Sequence, residues 1–292
     1  MIPIVNTRSK ILVQGITTRL GAAFTELALA YGTRITAGIS REKGLQEFLS
    51  IPLYKTVKEA AAKTGADVSI IFATVGRAPE ETLAAIKEKI PLIICTTEHI
   101  PLQDVLMLKE AAHKAGVKLL GPSSAGLVIP PLHLVLGTIP AHLFPEGHIG
   151  IIARSSSLTY EVIQQLKIIE EGVSQCIMLG SLPILGADFV PAVKTLLADK
   201  RTERILLIGD ISGSFEQAFA KFYAKHRKKK PIFAYIPGRF LPPPGRTPLL
   251  GSAPYDPPKI AQEKIKALKN AGVHVITSLS DIALKLIEKE VP

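Results

Sequence analysis

The stretch Gln14-Gly15-Ile16-Thr17-Thr18-Arg19-Leu20-Gly21 sets two hydroxyls and a guanidinium between glycines six residues apart. Such glycines permit a tight turn and a close helix–sheet approach. The N–H groups that open a following helix can hold a phosphate, and Arg19 can add a charge-assisted bond. The spacing departs from G-x-G-x-x-G, so a plain structural turn stands beside the phosphate loop as a reading. After the next apolar run comes Ser40-Arg41-Glu42-Lys43-Gly44, with no acid where an NAD ribose wants one. A basic neighbourhood suits a phosphorylated ribose better, as in NADP or CoA.

Four more loops follow strands. Cys95-Thr96-Thr97-Glu98 and Gly121-Pro122-Ser123-Ser124-Ala125-Gly126 read as ligand loops or as ordinary turns and caps. Ala153-Arg154-Ser155-Ser156-Ser157-Leu158-Thr159-Tyr160-Glu161 runs from a strand through serines into a helix, where the serines cap the helix or donate to an anion. In Ile208-Gly209-Asp210-Ile211-Ser212-Gly213-Ser214, Asp210 either caps a helix or orients a catalytic group. The seven histidines show no metal spacing, and no metal site is expected.

The elements that must position these loops alternate throughout. Strands are expected at 11–13, 35–39, 68–72, 92–94 and 117–120, with helices at 22–31, 56–63, 80–87 and 102–115 between and beside them. A helix-poor, proline-bearing stretch at 129–147 reads as a connection. Strands resume at 149–153, 175–179, 205–208, 232–235 and 273–276, separated by helices near 157–170, 188–199, 215–229, 258–271 and 279–289. Strands joined by helices imply parallel sheets. The expected fold is α/β with two doubly wound parallel-sheet domains: 1–128, a connection at 129–148, and 149–292. A long loop at 237–254, rich in proline, leaves the carboxyl edge of the second sheet, where ligands of open α/β folds bind.

Composition narrows the class. Hydrophobic residues are 47% of the 292 and charged residues 21%, a globular balance. The net charge of +10 is dispersed except for His226-Arg227-Lys228-Lys229-Lys230, which reads as a helix end favoured by the macrodipole. No aromatics interleave with it, which argues against nucleic acid. Two cysteines without a CxxC motif point to a reducing compartment. No apolar run is long enough for a membrane span, and the start lacks a signal-peptide pattern. A cytoplasmic location is expected.

The five loops, in their order and spacing, resemble the α subunit of ADP/GDP-forming succinate–CoA ligase, from about residue 8 to residue 290. The most specific pieces are Gln14-Gly15-Ile16-Thr17, Gly121-Pro122, Arg154-Ser155 with Leu158-Thr159-Tyr160-Glu161, and the stretch from Glu263 to Val273. The resemblance implies a Rossmann-like CoA-binding domain followed by a flavodoxin-like ligase domain. It implies an ATP-grasp β subunit as partner, in an αβ or α2β2 complex, and acyl-CoA formation from a small carboxylic acid, CoA and a nucleoside triphosphate. In that family a histidine of the α subunit carries the phosphate. Carried over by position, CoA meets Thr17, Thr18, Arg19, Leu20, Lys43, Thr96, Thr97 and Glu98. Ser155 and Ser156 match the phosphate-binding helix start, and Tyr160 matches a substrate-contacting tyrosine.

Four positions depart from the family. Alignment from Gly245-Arg246 to Glu263-Lys264 puts Leu249 at the phosphohistidine. Asp210 stands for the glutamate that orients it, Ser156 for a glycine of the phosphate site, and Thr18 for a glycine of the CoA loop, where a Cβ can crowd the pyrophosphate. Leucine has no nucleophilic nitrogen to carry a phosphate. The expected function is therefore a CoA-binding, catalytically altered α-like subunit, with a non-catalytic regulatory or interaction paralogue as the alternative.

Overall fold

Short β-branched runs buried on both faces, most joined to the next by a helix, produce two mostly parallel sheets. The structure is a computed structural model and describes residues 1–226, 230–241 and 256–288. It divides into an N-terminal unit, residues 2–142 with 184–187, and a C-terminal unit, residues 143–183 with the described residues from 188 onward.

The N-terminal unit contains β1 (Ile11–Gln14), α1 (Arg19–Tyr31), β2 (Ile35–Ile39), β3 (Glu47–Phe48), β4 (Ile51–Tyr54), α2 (Val57–Thr64), β5 (Val68–Ile71), α3 (Ala78–Lys87), β6 (Leu92–Cys95), α4 (Leu102–Ala115) and β7 (Lys118–Leu120). Its sheet runs β3-β4-β2-β1-β5-β6-β7, parallel except for the β3–β4 pair. The chain moves outward from β1 through β2 and then returns to β5 on the other side. The order therefore reverses between β1 and β5, and loops part there at the carboxyl ends. An antiparallel hairpin, β8 (Gly126–Ile129) with β9 (Leu134–Gly137), follows. It occupies part of the stretch whose prolines suggested only a connection.

The C-terminal unit contains β10 (Glu146–Ala153), α5 (Ser156–Ile168), β11 (Val173–Met178), α6 (Phe189–Ala198), β12 (Arg204–Ile208), α7 (Phe215–Lys225), β13 (Ile232–Tyr235), α8 (Pro257–Asn270), β14 (His274–Ile276) and α9 (Ile282–Ile287). Five parallel strands lie in the order β14-β13-β12-β10-β11. Counted from β10, this is the flavodoxin-like order 2-1-3-4-5, with the reversal between β10 and β12.

Local chemistry sets the ends of these elements. Thr56 caps α2 through the Glu59 N–H, and Asp256 caps α8 through Lys259 N, with Pro257 in the first turn. Lys230 Nζ donates to the carbonyl of Leu196 in the last turn of α6 and to that of Asp199, which follows the helix. The cores are aliphatic: Ile93, Leu119, Ile151 and Leu206 are each no more than 1% exposed. Full burial of such a side chain contributes about 1.5–3 kcal/mol. Cys95 on β6 and Cys176 on β11 are free thiols within these cores, and burial pushes both thiol pKa values up. Among the described residues, no helix is long and apolar enough to cross a membrane.

Candidate functional sites

At the carboxyl edge of the N-terminal sheet, β1 turns into α1 through Gly15. Its φ is +70°, and a Cβ there would lie 2.2 Å from the Phe72 carbonyl oxygen at the end of β5. Gly21, one turn into α1, would place a Cβ 2.0 Å from the Gly15 oxygen. The six-residue glycine spacing therefore has a steric cause: helix, turn and neighbouring strand meet at backbone distance. Phe24 of α1 stacks on Phe72 at 5.9 Å and holds the helix over the strand end.

Within this turn Thr18 caps α1. Its Oγ1 donates to the Gly15 carbonyl at 2.7 Å and accepts from Gly21 N at 3.1 Å. Its φ of −68° is ordinary for a threonine. Both partners of the hydroxyl thus belong to the loop's own backbone. Thr17 bonds to the Ser40 hydroxyl at 2.8 Å, tying the β1 loop to the end of β2. Thr18, Arg19, Leu20 and Lys43 are exposed.

The loop after β6 sits two strands along. Thr96 donates to the Ile71 carbonyl at 2.7 Å and Thr97 to that of Ala73 at 2.8 Å, so both hydroxyls brace the loop against β5. Glu98 is exposed and lies 3.9 Å from the His99 ring. The turn at Gly121-Pro122, whose peptide bond is cis, packs beneath, with Ser123 N on the Thr97 carbonyl and Ser124 N on that of Cys95. The CoA-type residues named from the sequence therefore all lie at one sheet edge, on loops or, for Arg19 and Leu20, in the first turn of α1.

Sequence reasoning missed a charged cluster at the same edge. Arg77 Nη2 donates to Glu81 Oε1 at 2.7 Å. Glu81 is mostly buried, and burial pushes its carboxyl pKa up, with Arg77 opposing the rise. From the β2 loop, Arg41 Nη2 reaches to 3.8 Å from Glu80 Oε1 and 4.0 Å from Glu81 Oε1.

In the C-terminal unit, α5 begins at the same edge of its sheet. Ser155 caps it by accepting from Leu158 N at 3.3 Å and shares a hydrogen bond with Ser157. Ser156 is exposed in the first turn, and Tyr160 is half-buried with its ring edge-on to Phe144 at 6.3 Å. Asp210 does not cap α7. Its Oδ1 accepts from Ser212 N at 2.7 Å and braces the loop after β12, while Ser214 holds the cap position without a side-chain bond. Leu249 and most of the proline-rich loop lie outside the described residues.

The centre of this unit is a buried ionic network absent from the sequence reading. Lys264 of α8 is fully buried and donates to Glu216 Oε2 at 2.6 Å, to the Asp210 carbonyl at 2.7 Å and to the Ser212 carbonyl at 3.1 Å. Glu216 of α7 returns a bond by accepting from Asp210 N at 2.9 Å. Arg154 is 2% exposed and donates to the carbonyls of Ser212 and Leu182 and to the Ser212 hydroxyl. Its guanidinium carbon lies 4.4 Å from the Phe215 ring centroid. Burial pulls the pKa values of Lys264 and Arg154 down, and the Glu216 charge opposes both shifts. These bonds fix the main chain of the Asp210–Ser214 loop beside the start of α5.

Comparison with known proteins bears on both units. Residues 6–99 match the CoA binding domain family. Among solved structures, ATP citrate lyase from Methanosaeta concilii, in complex with (3S)-citryl-CoA, superposes with a TM-score of 0.83 at 21% identity. The match covers 98% of this chain but only 50% of that one, so this chain spans half of its length. A dinucleotide-forming acetyl-coenzyme A synthetase from Ca. Korarchaeum cryptofilum gives a TM-score of 0.77 at 18% identity over 98% and 62% of the two chains. These two share the fold: a CoA-binding domain followed by a second α/β domain. The subunit alpha of ADP-forming succinate–CoA ligase from Staphylococcus epidermidis is 34% identical over 97% of this chain and 93% of its own. That from Aquifex aeolicus is 37% identical over 98% of this chain and 96% of its own, and on this full-length likeness the chain belongs to the succinate–CoA ligase α-subunit family.

Proposed function

We propose that the chain is a CoA-binding α-type subunit which supports acyl-CoA formation beside an ATP-grasp β-type partner, without a phosphohistidine of its own. One observation carries the CoA reading: the geometry of the β1–α1 turn. Thr18 takes up the Gly21 N–H and turns its hydroxyl onto the Gly15 carbonyl, and among the described residues the N–H groups of Arg19 and Leu20 have no acceptor. A pyrophosphate suits such a helix start. Thr17, Arg19, Lys43, Thr96, Thr97 and Glu98 surround the same sheet edge. In the C-terminal unit, Ser155, Ser156 and Tyr160 face the phosphoryl and acid chemistry. Leu249 removes the carrier nitrogen, so a phosphoryl group passes directly to the acid or does not pass at all.

Calorimetric titration of the purified chain with CoA tests the reading. Saturable binding that weakens for dephospho-CoA is the expected result, and absence of binding overturns it. Mixing the chain with a β-type partner, ATP and a panel of short carboxylic acids then separates the two family readings. Acyl-CoA product supports the altered ligase, and CoA binding without turnover assigns the chain to the regulatory paralogues. Phosphorylation gained by Leu249→His would show that the surrounding phosphate site still operates.

A further inference from the structure

We infer that Arg41 reads a phosphate on the ligand's ribose and thereby sets the preference of the N-terminal site for CoA over its dephosphorylated form; the inference rests on the CoA-binding reading above. In open α/β sheets the residue group just after the second strand faces the ribose of a ligand bound across the switch point. Here that group is Ser40-Arg41-Glu42-Lys43, two of whose members are cationic. The two cations are held differently. Ser40 is buried and bonds to Thr17 of the phosphate loop at 2.8 Å, and its hydroxyl also accepts the Glu42 N–H at 3.2 Å. This pinned turn launches Arg41 across the crevice toward the first turn of α3. Lys43 projects from the same loop into solvent.

The carboxylates that Arg41 reaches are poor partners. Both contacts, at 3.8 and 4.0 Å, exceed hydrogen-bond length. Glu80 is 73% exposed, and Glu81 Oε1 already accepts the closer Arg77 bond. Exposed pairs of this kind contribute little. They hold the guanidinium over the crevice without engaging its donors. A phosphate monoester arriving there offers several acceptors and a double charge, and guanidinium–phosphate pairing is bidentate and charge-assisted. Arg41 therefore exchanges a loose carboxylate contact for a directed one, and only a ligand with a ribose phosphate gains from the exchange.

The test measures Kd of the full chain for CoA and for dephospho-CoA in wild type, Arg41→Gln, Arg41→Lys and Lys43→Gln. Arg41→Gln should weaken CoA about 10- to 100-fold and leave dephospho-CoA within about twofold. Arg41→Lys should recover part of the loss, because it keeps the charge without the fork. Equal weakening of both ligands would reduce Arg41 to a structural role and overturn the inference. So would an unchanged preference in Arg41→Gln, or its loss in Lys43→Gln alone. In each of those cases wild-type CoA binding would leave the broader reading standing. A wild type that binds neither ligand overturns both.

Discussion

The two sheet edges solve the same positional problem with opposite economies of charge. In the N-terminal unit the polar side chains are spent on the backbone: Thr18, Thr96 and Thr97 each donate to a carbonyl, and the cations Arg19 and Lys43 stay in solvent. In the C-terminal unit the ions themselves form the scaffold, with Arg154, Lys264 and Glu216 buried and bonded to one another's loops. The first arrangement leaves charge for a ligand to recruit. The second commits its charge to holding a loop in place before any ligand arrives. A buried pair adds less stability than its short distances suggest, since desolvation offsets attraction. Its value here lies in fixing the Asp210–Ser214 main chain.

Breaking the committed side should give the largest effect. Lys264→Met leaves Glu216 buried without its cation and should destabilise the C-terminal unit by about 3–5 kcal/mol. Urea denaturation followed by circular dichroism measures this, and pairing the change with Glu216→Leu should restore much of the loss. A single variant as stable as wild type would show that the ions are not scaffolding.

On the N-terminal side, Gly15→Ala meets the Phe72 carbonyl and demands an unfavourable φ. It should cost about 1–3 kcal/mol and abolish CoA binding, measured by thermal unfolding and calorimetry. Thr18→Ala removes only the cap and should cost about 1 kcal/mol. A loss well above that would place Thr18 among the ligand contacts' essential supports.

The smallest expected effect is a pH dependence. Burial raises the folded-state pKa of Glu81, so folding favours its protonated form. That contribution is fully present below the ordinary glutamate pKa and is lost as pH rises through the folded value. Glu81→Gln should therefore gain on wild type in melting temperature as pH rises from the ordinary glutamate range through the raised folded value. The opposite trend would mean that the Arg77 pair outweighs burial.

The alternation of strands and helices was legible because buried parallel strands need unbroken β-branched runs. Ile35–Ile39, Ile232–Tyr235 and Leu102–Ala115 stand where periodicity places them. The short pair β3–β4 was not legible, because a two-residue edge strand and a four-residue strand interrupted by Pro52 carry no periodic signal. The β8–β9 hairpin hid behind Pro130 and Pro131 in its turn and Pro140 and Pro145 beyond it. The loops of the candidate sites could be read from strand ends and from family resemblance. The Lys264–Glu216 pair could not, since 48 residues separate its members and charged residues on helices usually face water. A faint signal existed. Lys264 shares the buried stripe of α8 with Ala261 and Leu268, and Glu216 that of α7 with Phe219, Ala220 and Tyr223. A charge in register with an apolar stripe is a sign of a buried partner.

The two cysteines have a practical consequence. One lies on β6 and the other on β11, so each unit holds a single shielded thiol, in a chain with no tryptophan to report its folding. A thiol-alkylating reagent can modify each sulfur only while its own sheet is open. Timed alkylation, read as the masses of the two cysteine peptides, would clock the opening of each unit separately within one intact molecule.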